Sequence, residues 1–377
     1  MKDKFTLQDL SQNLIHTHIR LDLSFLNRLL VNASKSNKPH RAYKFLCELG
    51  CPINKTKKAS STVYGWLKGY RTVPMSKLIK IVKLSDYSWI DIEKHLISIK
   101  AGIRKGEISL RLPIIVDHKI GSIIGHVLGD GSIDKIFSSL FFSNSNSELL
   151  KEFRAYMKNI FGIEPRIWVQ QKTKAFEEKS KWLVRVHNLD EVPLGYCVGL
   201  FYPKICTDIL YSIFGKFAVG KSKKITKEIK DSNLEFKRGL IRAFFDDEGS
   251  IRSDNHTMRF HQDNKKLLED LKQIIQEFRI NTNPIRHYYK RGKIRYYFNL
   301  TGYRNYYKFY HLIACTSSKK AEQFELLIES VGNSKVFKKK YALSASDYSD
   351  LRTVFFNRTF RAERRNGHTS ILTESNK

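Results

Sequence analysis

Two stretches of this chain end alike. Ile123–Ile133 reads IIGHVLGDGSI and Ile241–Ile251 reads IRAFFDDEGSI, each an apolar run closing on an acid, then Gly, Ser and Ile. The repeat implies an internal duplication. In the first copy Ile120, Ile123, Ile124, Val127 and Leu128 follow the spacing of an amphipathic helix, and Gly121, Gly125 and Gly129 form a second stripe without side chains. Glycines inside a helix cost about 1 kcal/mol each relative to Ala, a cost that close approach of another backbone can offset. The second copy supplies that partner, with Gly239 and Ala243 at the same spacing and Leu240, Ile241, Phe244 and Phe245 at the sides. Packed small face to small face, the helices would bring Asp130 and Glu248 together. Gly131 and Gly249, which follow them, are expected to be the left-handed residues that end helices.

Carboxylates are costly there, because a helix C-terminus carries partial negative charge and neighbouring acids repel. A hard divalent cation such as Mg²⁺, bound by oxygen, removes the conflict better than zinc would. At these residues the sequence resembles the LAGLIDADG family of homing endonucleases, in the form with both motifs on one chain. The motif maps onto Ile123–Gly131 and Ile241–Gly249, and the likeness spans residues 112–336. Leu128 stands where the family often has an acid, and Asp247 where it usually has a small residue. The resemblance implies Asp130 and Glu248 as catalytic metal ligands, for Mg²⁺ or another hard ion such as Mn²⁺, with Ca²⁺ in a non-cleaving complex. It places the family's glutamine on Gln262 and, in the first copy, on Asn144. The basic residue that supports the transition state falls nearest Lys223 and Lys319 or Lys320.

Charge points to the partner. Lys and Arg outnumber Asp and Glu by 67 to 37, a net charge of +30. Such an excess repels itself unless a polyanion shares it, so nucleic acid is the expected counterpart. No apolar run reaches the length of a membrane span and the start is polar, so the chain is expected in the cytoplasm or another intracellular compartment containing DNA, not secreted. The five cysteines are odd in number and show no C-x-x-C pair, which suits buried thiols rather than a zinc site. Nucleotide-loop, serine-hydrolase and zinc-protease motifs are absent from the sequence.

Residues 1–111 read as an all-α, helix-turn-helix-like domain with a basic linker at its end. A short helix with Val63, Trp66 and Leu67 stops at Gly69, and Met75–Leu84 resumes. In that reading Ser61, Thr62, Tyr64 and Lys68 meet DNA, with Lys55, Lys57 and Lys58 near its backbone.

Each duplicated segment, 112–231 and 232–336, reads αββαββα, an α+β fold whose antiparallel sheets form a cationic saddle. On the first sheet Arg166, Gln170, Lys172, Lys181 and Arg185 share a polar face opposite Ile167, Val169, Trp182, Val184 and Val186. Val198–Phe214 is expected to be helical. On the second sheet Arg286, Tyr288 and Lys290 alternate along one strand and Arg295 and Asn299 along the next, on one expected face. Residues 337–377 read as a basic, partly disordered extension. The expected function is site-specific double-strand cleavage of DNA by a monomer, as in intron homing. The alternatives are a non-cleaving DNA-binding regulator on the same scaffold and an intron maturase whose partner is RNA.

Overall fold

The computed structural model describes residues 1–34, 61–102, 106–170, 182–192, 195–220, 222–252, 256–290 and 292–332, with Phe45 and Leu49 besides. The chain divides into two compact units, Met1–Glu248 and Gly249–Lys377. Among the described residues no helix is long and apolar enough to cross a membrane.

The first unit opens with β1 (Lys4–Phe5), α1 (Leu7–Ser11), β2 (His18–Leu21), α2 (Leu23–Ser34), α3 (Ser61–Leu67), β3 (Val73–Pro74), α4 (Met75–Leu84), α5 (Trp89–Lys94), β4 (Leu96–Lys100), β5 (Glu107–Ile108) and β6 (Ile114–Ile115). The expected short helix is present, as are the stop at Gly69, where φ is +74°, and the helix after it. The all-α expectation is corrected, because an antiparallel sheet of order β3-β2-β4-β5 runs through the segment. Its strands escaped notice because they are short: in β2 only Ile19 and Leu21 turn inward, two beats of a period-two pattern set between helices. The helix that would precede α3 in a helix-turn-helix lies outside the described residues, as do Lys55, Lys57 and Lys58. Nor is the segment separate from the duplicated part of the chain. Strand β1 pairs with β6, and Asn233 Nδ2 donates to Asp3 Oδ1 at 2.7 Å.

The first duplicated segment continues with α6 (His118–Leu128), β7 (Gly131–Ile133), β8 (Leu140–Asn144), α7 (Ser147–Phe161), β9 (Arg166–Gln170), β10 (Trp182–Val186), β11 (Val198–Tyr202) and α8 (Lys204–Phe214). After it come β12 (Ala218–Val219), β13 (Ser222–Lys223), α9 (Lys227–Lys230) and α10 (Leu234–Glu248). Asp117 starts α6 by accepting from the Lys119 and Ile120 amides, and Gly162, at φ +59°, ends α7. The sheet order is β10-β9-β11-β8-β7. Val198–Phe214 is therefore helical only from Lys204; Val198–Tyr202 is an interior strand, an apolar run without alternation that periodicity alone does not distinguish from helix.

Helices α6 and α10 pack backbone to backbone. A Cβ on Gly121 would stand 2.0 Å from the Phe236 carbonyl oxygen, one on Gly125 2.4 Å from that of Leu240, and one on Gly239 1.9 Å from that of His118. Nothing larger than glycine fits, which accounts for the stripe. Gly131 and Gly249 are not left-handed, however: each opens a strand, and at Gly131 a Cβ would come within 2.6 Å of Val127 Cα.

The second unit holds β14 (Gly249–Arg252), β15 (Thr257–Gln262), α11 (Lys265–Glu277), β16 (Arg286–Lys290), β17 (Lys293–Leu300), α12 (Tyr303–Leu312) and α13 (Ser318–Gly332). Its antiparallel sheet, of order β14-β15-β17-β16, buries Phe260 against Phe298 and Phe309. Because α10 packs on α6, the second copy's motif helix belongs to one compact unit and its sheet to the other.

Candidate active site and binding faces

The motif helices end in a cluster of acids held by specific contacts. Asn144, the last residue of β8, donates from its Nδ2 to Asp130 Oδ2 at 3.0 Å and to Asp247 Oδ1 at 3.3 Å. The Asp130 amide donates to Asp247 Oδ2 at 3.3 Å. Asp247 was not foreseen as a site residue, and its position depends on Gly129. A Cβ there would lie 2.5 Å from Asp247 Oδ2, so the third glycine of the stripe makes room for a carboxylate rather than for a backbone.

Beneath this cluster His126 is wholly buried, with Nδ1 3.0 Å from Asp247 Oδ2 and Nε2 3.9 Å from Glu152 Oε2. Glu152 also pairs with Arg242, whose guanidinium donates to the Tyr156 hydroxyl at 3.1 Å. Burial alone would lower the His126 pKa, but the charge and hydrogen bond of Asp247, with Glu152, raise it to about 10. The imidazole is thus an internal cation. Sequence reading missed it because its buried partners, Asp247 and Glu152, lie on other helices and leave no local signal.

The Asp130 pKa is raised to about 7, by burial of its carboxyl among these neighbours and by the charges of Asp247 and Glu248, against Lys223 and His126. Since Asp130 keeps exposed surface, water screens part of the burial effect, and repulsion by the two acids is the sturdier cause. Lys223, in β13, donates from Nζ to the Gly129 carbonyl oxygen. Burial lowers its pKa, while Glu248, Asp130 and Asp247 work in the opposite direction.

Of the expected catalytic residues, the structure therefore brings together Asp130, Asn144, Glu248 and Lys223. Gln262 and Lys319 belong to the second unit. Gln262 ends β15, where its Oε1 accepts from the Asp263 amide at 2.8 Å, and Lys319 is exposed in the first turn of α13. Gln262 and Asn144 hold matching register positions, each two residues after the phenylalanine that pairs with the motif glycine: Phe142 with Gly131, Phe260 with Gly249.

Among the described residues no group of three or more His, Cys, Asp or Glu is arranged to hold a metal ion. The donors present nonetheless suit a hard cation. They are carboxyl oxygens, and three acids share one ammonium and one imidazolium.

The faces of the two sheets differ from expectation in composition. On the first, Arg166 and Arg185 are exposed and Gln170 is half-buried, while Lys172 and Lys181 lie outside the described residues. Val184 pairs with buried Val169 on the expected inner side but is 37% exposed, because β10 is the edge strand; the register shift between Trp182 and Val184 instead sets Trp182 opposite Gln170. Trp168 shares the parity of Arg166 and Gln170. On the second sheet Arg286 and Lys290 are exposed and Tyr288, Arg295 and Asn299 half-buried, all on the expected face, where Arg295 Nε lies 3.2 Å from Asp263 Oδ1. Arg259 joins them, with its Nε donating to Asn299 Oδ1 at 3.1 Å and its guanidinium 4.1 Å from the Tyr297 ring centre. In α3 the Tyr64 side chain is exposed, with the Lys68 ammonium 5.9 Å from its ring centre; the side chains of Ser61 and Thr62 lie outside the described residues.

Comparison with known proteins gives a family likeness. Residues 117–191 and 235–314 both match the family described as the LAGLIDADG-like domain. DNA-directed RNA polymerase subunit Rpo1C of Methanocaldococcus jannaschii is 24% identical over 260 residues, 69% of this chain and 26% of that protein, so the chain spans about a quarter of that relative's length. Among solved structures, the homing endonuclease I-DmoI in complex with DNA and Ca aligns with a TM-score of 0.38 at 15% identity, covering 56% of this chain and 98% of that one. Full-length DUF199/WhiA from Thermatoga maritima aligns at 0.37 and 12% identity, covering 63% and 66%. The homing endonuclease I-WcaI bound to its DNA recognition sequence aligns at 0.36 and 15% identity, covering 55% and 85%.

Proposed function

We propose that this chain, which belongs to the LAGLIDADG family and carries its domain twice, is a site-specific endonuclease that hydrolyses both strands of duplex DNA with divalent metal ions, Mg²⁺ foremost. The observation that carries the reading is the convergence of Asp130, Glu248, Asn144 and Lys223 where two glycine-packed helices end. Asp130 and Glu248 would hold the metal. When bound, a hard divalent ion supplies neutralisation of charge on the attacking and leaving oxygens and a more acidic water.

The remaining groups act around that centre. The Asn144 amide fixes the Asp130 carboxyl, so its orientation is set before substrate arrives. Lys223, anchored on the Gly129 carbonyl, offers positive charge to a phosphate entering over the acids. Gln262 orders water for the second copy, and Lys319 supplies the corresponding cation. Arg166, Gln170, Lys172, Lys181 and Arg185 on one sheet, and Arg286, Tyr288, Lys290, Arg295 and Asn299 on the other, contact the duplex. The segment Ser61–Lys68 adds contacts outside the cleavage site. The chain acts as a monomer, because both acids needed for two strands are its own.

Incubating the full chain with a random duplex pool and Mg²⁺, then recovering cut molecules, tests the reading. One extended sequence should be enriched among the cleaved molecules, and EDTA should abolish its recovery. A pool bound but never cut would favour a non-cleaving DNA-binding regulator, and a pool neither bound nor cut would remove the DNA reading.

A further inference from the structure

The two sheets occupy the same register with opposite chemistry. In the first, the motif serine Ser132 pairs with Phe141; in the second, Ser250 pairs with Arg259. One strand further in, Phe141 pairs with Phe201 and Arg259 with Asn299. Phe141 and Arg259 are therefore equivalent positions, as are Phe201 and Asn299.

Around the first pair the face is aromatic. The Phe141 and Phe201 ring centres lie 4.6 Å apart, and both side chains are half-buried. Trp168, also half-buried, pairs with Gly199, which has no side chain to cover it. Arg166, on the same strand as Trp168, pairs with Phe201, and Arg185, on edge strand β10, pairs with Trp168, so exposed cations border the aromatic centre. Around the second pair the face is polar. Arg259 gives its Nε to Asn299 and lies over the Tyr297 ring, two contacts made without its terminal two-nitrogen fork.

We infer that the sheets read different base chemistry in the major groove: Phe141, Phe201 and Trp168 meet the C5 methyl of thymine, and Arg259 meets O6 and N7 of guanine. Apolar side chains against the thymine methyl, and a two-pronged guanidinium against guanine, are the pairings that groove chemistry allows to these residue types. The bordering arginines and the net charge of +30 commit the aromatic face to a polyanionic occupant rather than to an apolar partner. The inference rests on the proposed DNA cleavage and adds which residues set the target.

Sites bound by the full chain would be selected from a random duplex pool in Ca²⁺, in parallel for wild type, Phe141→Arg and Arg259→Phe. Wild type should select thymine at one position and guanine at another. Phe141→Arg should turn that thymine to guanine, and Arg259→Phe should turn that guanine to thymine, each preference on the order of ten-fold. Because either variant could misfold, deoxyuridine is also placed at the selected thymine, which removes only the methyl group. It should weaken wild-type binding about four-fold. A selected site with unaltered preferences in both folded variants, or an unchanged affinity for the deoxyuridine duplex, would overturn the inference while leaving the nuclease reading standing. A wild-type chain that enriches no sequence would overturn the DNA reading itself.

Discussion

His126 Nδ1 and Asp247 Oδ2 lie 3.0 Å apart inside the helix pair, both side chains shut off from solvent. Each offsets the burial of the other, so removing one strands its partner. His126→Ala or Asp247→Ala should cost about 3–5 kcal/mol in urea unfolding. The apolar double variant His126→Leu/Asp247→Ala should lose less than the sum of the two single changes. Additive losses would show that the pair is not coupled.

The same pair sets a pH dependence. His126 has a folded pKa of about 10 against an ordinary 6.5, so its stabilisation is complete below about pH 6.5 and disappears as pH rises through about 10. The urea midpoint of the wild-type chain should fall across that window at constant salt. A His126→Phe chain should fall less over the same range, and parallel curves would contradict the assignment.

Asp130 lowers stability in the same direction of pH, but at a lower window and because its charged form is the disfavoured one. Its folded pKa of about 7 exceeds the ordinary 3.8, so ionising it costs stability progressively between those values, and the metal-free chain is strained above pH 7. Mg²⁺ should therefore stabilise the wild type above pH 7, by about 1.4 kcal/mol at ten times its Kd. Thermal unfolding with and without Mg²⁺ measures this. The gain should vanish in Asp130→Asn, and an equal gain in both chains would place the ion elsewhere.

Helix apposition is testable apart from any chemistry. Gly125→Ala puts a methyl group 2.4 Å from the Leu240 carbonyl oxygen and 2.9 Å from Ala243 Cβ, so the helices must separate. A loss of about 1–3 kcal/mol or more is expected in chemical denaturation. A loss below about 0.5 kcal/mol would mean the helices are not in contact at that step.

The helix pair and its terminal acids were legible because the glycine stripe has no other economical use and occurs against a matching partner. The shared face of Arg286, Tyr288 and Lys290 with Arg295 in the second sheet was legible from alternation. What escaped were cases where local pattern is silent. Val198–Tyr202 is apolar throughout, so its strand identity comes from neighbours β8 and β9 on either side. Strand β2 is too short for alternation to accumulate, and in β4 the pattern misleads, since Ser98 is buried and Ile97 exposed. His126 carried no local signal and Asp247 stood only as a departure from a small residue, and their mutual contact reveals that each accounts for the other. Phe141 and Arg259 became comparable once pairing supplied the register.

The central claim is that Asp130 and Glu248 serve one metal-dependent cut on each strand. A supercoiled plasmid carrying the selected site, incubated with Mg²⁺, should be linearised by the wild-type chain. With Asp130→Asn or Glu248→Gln it should go no further than the nicked circle, while affinity for the site stays within a few-fold. Linear product from both variants at the wild-type rate would contradict the account.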